Sequence, residues 1–190
     1  LVHPDVPFHP ASSFKLGVMM EVFHQASLGE FSLDDLLRVR NSFQSIADQS
    51  KFSLSPGDDS EKDLYQHIGE KVPLIELIRR MIISSSNLAT HLLIEKVGAA
   101  RVTNFMQELG TNDLVVLRGP EDAQAYALGL NNSATARSLM QVLVCLANRS
   151  VVSPAASDEM IAILRQQQFN EGIPAQLPEG VSVAHKTGWN

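Results

Sequence analysis

The chain has 190 residues, 44% hydrophobic and 19% charged, a balance that suits one globular domain able to bury a real core. Its formal net charge is -6, with 15 Lys and Arg scattered among 21 acids, which argues against a nucleic-acid partner. The single cysteine, Cys145, excludes an internal disulfide and a cysteine-based zinc site. No apolar stretch reaches the roughly 18 residues a membrane span needs.

In chain order, Pro10 to Ser12 leads into Phe14, Val18, Met19, Val22 and Phe23 at helical spacing, which predicts a helix opened by Ser12 and ended near Gly29. From Gly29 to Val72 the pattern weakens around the turn-forming run Ser55, Pro56, Gly57, Asp58, Asp59, so this region is expected to be mostly surface. Leu74, Leu77, Ile78, Met81 and Ile82 mark an amphipathic helix entered through Pro73 and stopped at Ser84, Ser85, Ser86. Two more helices are predicted, from Asn87 to Gly98 and from Ala99 to Gly110, packing with the one before. Arg118 to Asn132 lacks sustained periodicity and reads as a long loop.

Ser133 to Leu146 predicts a further helix, with Leu143, Val144 and Leu146 making the surroundings of Cys145 core. Ser153 and Pro154 look like the N-cap and first position of the last helix, through Ile161 and Leu164. Val181 to His185 alternates like a strand. With no repeat, low-complexity tract or linker, residues 1–190 read as one domain.

Three short patterns carry chemistry. Ser12, Ser13, Phe14, Lys15 is an S-x-x-K on a first helical turn, where i, i+3 spacing puts hydroxyl and amine on one face. A serine hydroxyl is a weak nucleophile until a neighbouring base takes its proton, and Lys15 serves as that base only if burial or a nearby cation lowers its pKa. One such pattern is expected by chance in a chain of this length, on the order of one. Lys186, Thr187, Gly188 is rarer, about one chain in fifty, and offers an amine and a hydroxyl to a carboxylate beside a glycine that admits close approach. Ser85, Ser86, Asn87 lies between two helices, and taken alone it reads as a pair of caps.

S-x-x-K, then S-x-N, then K-T-G is the ordered set of class A β-lactamases and penicillin-binding proteins. The stretches FHPASSFKLGVMMEVF, PLIELIRRMIISSSNLATHLLIEKVG, RGPEDAQAYALGLNN and VAHKTG together resemble the class A β-lactamase-related serine hydrolases over nearly the whole chain. That resemblance implies an α+β serine β-lactamase/D,D-peptidase-like fold, here mostly helical, with one active-site strand and most of the antiparallel sheet missing at both termini. It implies that Ser12 is the acylated nucleophile and Lys15 its base, directly or through water, and that Ser85 relays a proton to the leaving nitrogen. Asn87 would bind the substrate's side-chain amide, and Lys186, Thr187 and Gly188 its carboxylate end. The backbone N–H groups of Ser12 and Trp189 would form the oxyanion hole.

The implied activity is hydrolysis of a β-lactam amide, with a cell-wall D,D-peptidase or an acylated, non-catalytic sensor module as alternatives. The implied ligands are β-lactams or D-Ala-D-Ala-type peptides. The implied location is periplasmic or secreted, with any export signal removed or left out ahead of Leu1. No metal or cofactor is expected, because the six histidines show no ligand spacing such as H-E-x-x-H.

Three departures stand out. The middle motif has Ser86 where class A enzymes have an acid. Glu121 stands three residues after Arg118 rather than two, which leaves it either the activator of the deacylating water or a solvated loop acid beside Asp122. Asn132 falls where an aspartate partner for Arg118 would stand, so the loop clamp is expected to be missing. A lone strand at Val181 to Lys186 would need partners outside these residues. The chain therefore reads as a segment of a longer polypeptide. Tyr65 and His67 are minor candidates for the cleft wall.

Overall fold

The computed structural model describes residues 2–189. A 3-10 turn at Ala11–Phe14 runs straight into helix α1, Lys15–Ser27, which is buried from Lys15 through Phe23 on every side. An apolar surface all round is the mark of a central helix. Gly17 lets its neighbours approach closely: a Cβ there would lie 3.2 Å from Met106 Sδ and 3.3 Å from Val102 Cγ1.

The segment from Gly29 to Val72 lies mostly at the surface, as expected, but it is not without regular structure. It forms four short strands, β1 Leu36–Arg38, β2 Phe43–Gln44, β3 Lys51–Phe52 and β4 Lys71–Pro73. β1 pairs antiparallel with β4, Leu36 opposite Pro73, and β2 with β3, Phe43 opposite Phe52. Val39, Phe43, Leu54 and Leu64 from this segment are buried in the core. Strands of two or three residues are too short to display a period of two, so no residue pattern marks them.

Helix α2, Leu74–Ile83, follows directly on β4 and buries Leu74, Leu77, Ile78, Met81 and Ile82, the stripe its spacing predicts. Each such side chain taken from water contributes about 1.5–3 kcal/mol. Helix α3, Asn87–Val97, begins where the Ser86 hydroxyl caps the Ala89 N–H at 3.2 Å. Gly98, at φ 87°, separates it from α4, Ala99–Glu108, and positive φ is a backbone region open to glycine without a steric cost. Helix α3 packs on both α2 and α4, as expected, and α1 packs against all three.

The predicted loop from Arg118 contains one short helix, α5 Ala123–Ala127, capped by Asp122. Five residues cannot establish a helical period, which explains its absence from the sequence reading. Helix α6, Ala136–Ala147, starts with a reciprocal cap between Thr135 and Ser138. Helix α7, Pro154–Leu164, has the predicted Ser153 cap and first-position proline. Cys145 is only partly buried, and Leu143 and Val144 are 40% and 46% exposed, so that stretch is not the core it suggests.

The predicted strand at Val181 to His185 does not form. Among the described residues it has no ladder neighbour; the His185 N–H instead donates to Leu164 O at 3.4 Å. A strand exists only by pairing, so alternation in the sequence is not sufficient.

Candidate active site

The motif residues come together from three places in the chain. Ser12 sits in the turn before α1 and Lys15 begins α1; Ser85 and Asn87 flank the start of α3; Lys186 to Trp189 lies across the turn. The approach is close, since a Cβ on Gly188 would lie 3.1 Å from Pro10 O and 3.4 Å from the Ser12 nitrogen. Ser12, Asn87, Glu121 and Trp189 line an open cleft of roughly 560 Å³. A second hollow of roughly 250 Å³ shares Ser12, Asn87 and Trp189 and adds Ser85 and Thr187.

Lys15 is wholly buried, and its amine donates to Ser85 O at 2.7 Å, to Asn87 Oδ1 at 2.8 Å and to Ser85 Oγ at 3.3 Å. Burial first, then the charge of Lys186, hold its pKa well below the ordinary lysine range, against the opposing pull of Asp59 and Glu121. Lys186 Nζ donates to the same Ser85 Oγ at 2.9 Å, and burial brings its pKa down to about 7. A hydroxyl has one proton and two lone pairs, so Ser85 can accept from Lys186 while offering its proton to a neutral Lys15. Among the described residues no hydrogen bond joins the Ser12 and Lys15 side chains, so a transfer between them would pass through Ser85 or a water.

Asn87 bridges to the loop. Its Nδ2 donates to Glu121 Oε1 at 2.6 Å. Burial raises the Glu121 pKa and the carboxylates of Asp59 and Asp58 add to the rise, while the Asn87 hydrogen bond opposes it. Despite the one-residue offset from Arg118, Glu121, itself solvent-exposed, lines the cleft and is held by Asn87. Part of the accommodation is local: Glu121 adopts φ 62°, outside the region that side-chain-bearing residues favour. Ser85, at φ 58°, and Ala11, at φ 44°, are two further cleft-lining residues in that region. Backbone strain of about 1–3 kcal/mol each is found where surrounding packing fixes a functional geometry.

The clamp expected to be missing is present in neutral form. Arg118 donates from Nε to Leu130 O at 2.9 Å, from Nη1 to Gly119 O at 3.0 Å and from Nη2 to Asn131 Oδ1 at 2.6 Å. Asn132 Oδ1 accepts from the backbone of Leu117 and Arg118, and its Nδ2 donates to Arg118 O. Amide and carbonyl oxygens do the work sought from an acid. His91 of α3 adds a second tie, through Nε2 to Pro120 O, with its ring tilted against Phe43 at 4.4 Å between centroids.

Tyr65 and His67 stand outside both hollows; Tyr65 donates its hydroxyl to Asp59 and His67 pairs with Glu70 and Asp63 at the surface. Sequence reasoning missed Asp58, which lines both hollows, and Asp59, which is tied to the α3 start. No local pattern in the turn could have identified either.

Comparison with known proteins agrees with this geometry. The extended-spectrum beta-lactamase PER-1 of Pseudomonas aeruginosa is 25% identical over 193 residues, a match covering 99% of this chain but 59% of the relative's length. The beta-lactamase of Sphaerobacter thermophilus superposes with a TM-score of 0.79 at 25% identity, over 98% of this chain and 66% of that one. PBP-A does so with a TM-score of 0.79 at 25% identity, over 97% and 64%. The model of the Beta-lactamase enzyme family matches residues 1–190, and on that span the chain belongs to the beta-lactamase enzyme family.

Proposed function

We propose that the protein is a serine hydrolase that opens β-lactam amides through an acyl-enzyme on Ser12. The observation that carries the reading is the convergence of two lysines on Ser85 beside Ser12, with Asn87 linking Lys15 to Glu121. A PBP-A variant, 26% identical over 98% of this chain, is known as an acyl-enzyme complex with penicillin-G, which supports the same chemistry here.

In acylation, Ser12 Oγ attacks the β-lactam carbonyl carbon while its proton passes toward neutral Lys15 through Ser85 or water. The oxyanion is met by the backbone N–H groups of Ser12 and Trp189. Ser85 then hands a proton to the ring nitrogen as the C–N bond breaks, leaving an ester on Ser12. Lys186, while protonated, and Thr187 hold the substrate carboxylate. Asn87 has one Nδ2–H beyond that given to Glu121, and this is the donor for the substrate's side-chain amide. In deacylation Glu121 takes a proton from a water that attacks the ester carbon, and Ser12 is released.

A D,D-peptidase would share every acylation residue, and the likeness to PBP-A keeps this second reading in view. Deacylation separates the two. The lactamase reading predicts steady turnover of a chromogenic cephalosporin, reduced in Glu121→Gln to a burst with slow release. A burst without steady turnover in the wild type, unaffected by Glu121→Gln, would reject it.

A further inference from the structure

The middle motif has no acid of its own, yet a carboxylate reaches the start of α3. Asp59, from the turn after β3, is 2% exposed. Its two oxygens accept from the Asn87 N–H at 3.0 and 2.9 Å, and Oδ2 also accepts from the Leu88 N–H at 3.0 Å. Tyr65 Oη donates to Oδ2 at 3.0 Å and the Glu61 N–H to Oδ1 at 3.1 Å. Every partner is a donor, which matches the acceptor-only character of a carboxylate.

The first N–H groups of a helix have no partner within it. Among the described residues the Ser86 hydroxyl serves only Ala89, and the donors of Asn87 and Leu88 fall to Asp59. Asn87 is also the residue whose side chain spans from Lys15, at 2.8 Å, to Glu121, at 2.6 Å. A shift in its backbone would move both of those contacts together. We propose that Asp59 is a positioning residue for the acyl transfer, replacing from a distant turn the acid absent at position 86 and fixing Asn87 between Lys15 and Glu121. This rests on the function proposed above.

A cap that served stability alone would leave the chemistry of the folded enzyme untouched. Three charged groups face Lys15: Lys186, Asp59 and Glu121. In Asp59→Asn one of the two acids is gone, so Lys15 gives up its proton at lower pH and the acid limb of the acylation profile moves down. Loss of register at Asn87 slows acylation of the folded enzyme by benzylpenicillin on the order of 10²-fold. Ser86→Asp, added to Asp59→Asn, returns a carboxylate to the N-cap and recovers part of the rate.

An Asp59→Asn variant that acylates at the wild-type rate overturns the proposal. So does one that is slower with an unmoved acid limb and Asn87 in place in its crystal structure. Should Asp59→Asn fail to fold, the double variant carries the same comparison. Wild-type protein that is never acylated defeats the proposed function instead, and Asp59 is then judged by whether Asp59→Asn separates Asn87 from Glu121 in the crystal.

Discussion

Gly119 is the position where one methyl group should loosen the catalytic loop without touching a catalytic side chain. A Cβ there would fall 2.5 Å from Nδ1 and 2.6 Å from Nε2 of His91, well inside contact distance. The ring cannot retreat: Phe43 lies on it at 4.4 Å, Phe52 meets it edge-on at 5.5 Å, and Nε2 is tied to Pro120 O. Overpacking of this kind costs about 1–3 kcal/mol, which for a domain of this size lowers Tm by roughly 2–12 °C. Because Pro120 and Glu121 follow directly, Gly119→Ala should slow deacylation more than acylation, whose residues lie around the starts of α1 and α3 and at Lys186. Thermal melts and burst kinetics of Gly119→Ala, His91→Ala and the double variant test this. The added methyl should cost little in the His91→Ala background, where the ring is gone. An unchanged Tm in Gly119→Ala, or an equal cost in both backgrounds, would refute the reasoning.

Arg118→Ala removes three hydrogen bonds to Leu130, Gly119 and Asn131, and should cost about 2–4 kcal/mol by urea unfolding, with deacylation falling further than acylation. An unmoved urea midpoint would show that the neutral clamp is idle. The pH profile of kcat/KM for a carboxylate-bearing substrate should decline as pH rises through about 7, because Lys186 loses the charge that holds the carboxylate. Lys186→Arg, which stays protonated, should remove that alkaline limb, and a wild-type profile flat to high pH would contradict it. The same depressed lysine has a stability consequence. Above about pH 7 the unfolded chain binds more protons than the folded one, so stability from this group rises with pH until the ordinary lysine range is passed.

The helices were legible because α2, α3 and α4 carry both periodic apolar positions and a clear stop, whether the serine run after Ile83 or Gly98 and Gly110. Ser12, Lys15, Ser85, Asn87, Lys186 and Thr187 were legible as an ordered set of motifs, and the fold gathers them. What stayed hidden depends on distant pairing. Asp59 looked like a turn residue because its partners, Asn87 and Leu88, are 28 and 29 positions away. The Arg118 clamp was sought as an acid and turned out to be amide and carbonyl oxygens, which serve a guanidinium without announcing it in sequence. The strand at Val181 to His185 failed for the opposite reason, since alternation shows a face but supplies no neighbour.

The most direct test is intact-mass measurement after mixing the protein with benzylpenicillin. Opening the ring expels no fragment, so the account predicts an adduct of the whole penicillin mass, mapped to Ser12, decaying in the wild type and absent from Ser12→Ala. Folded wild-type protein that stays unmodified while substrate is unchanged, or a Ser12→Ala variant that is still labelled, would contradict it.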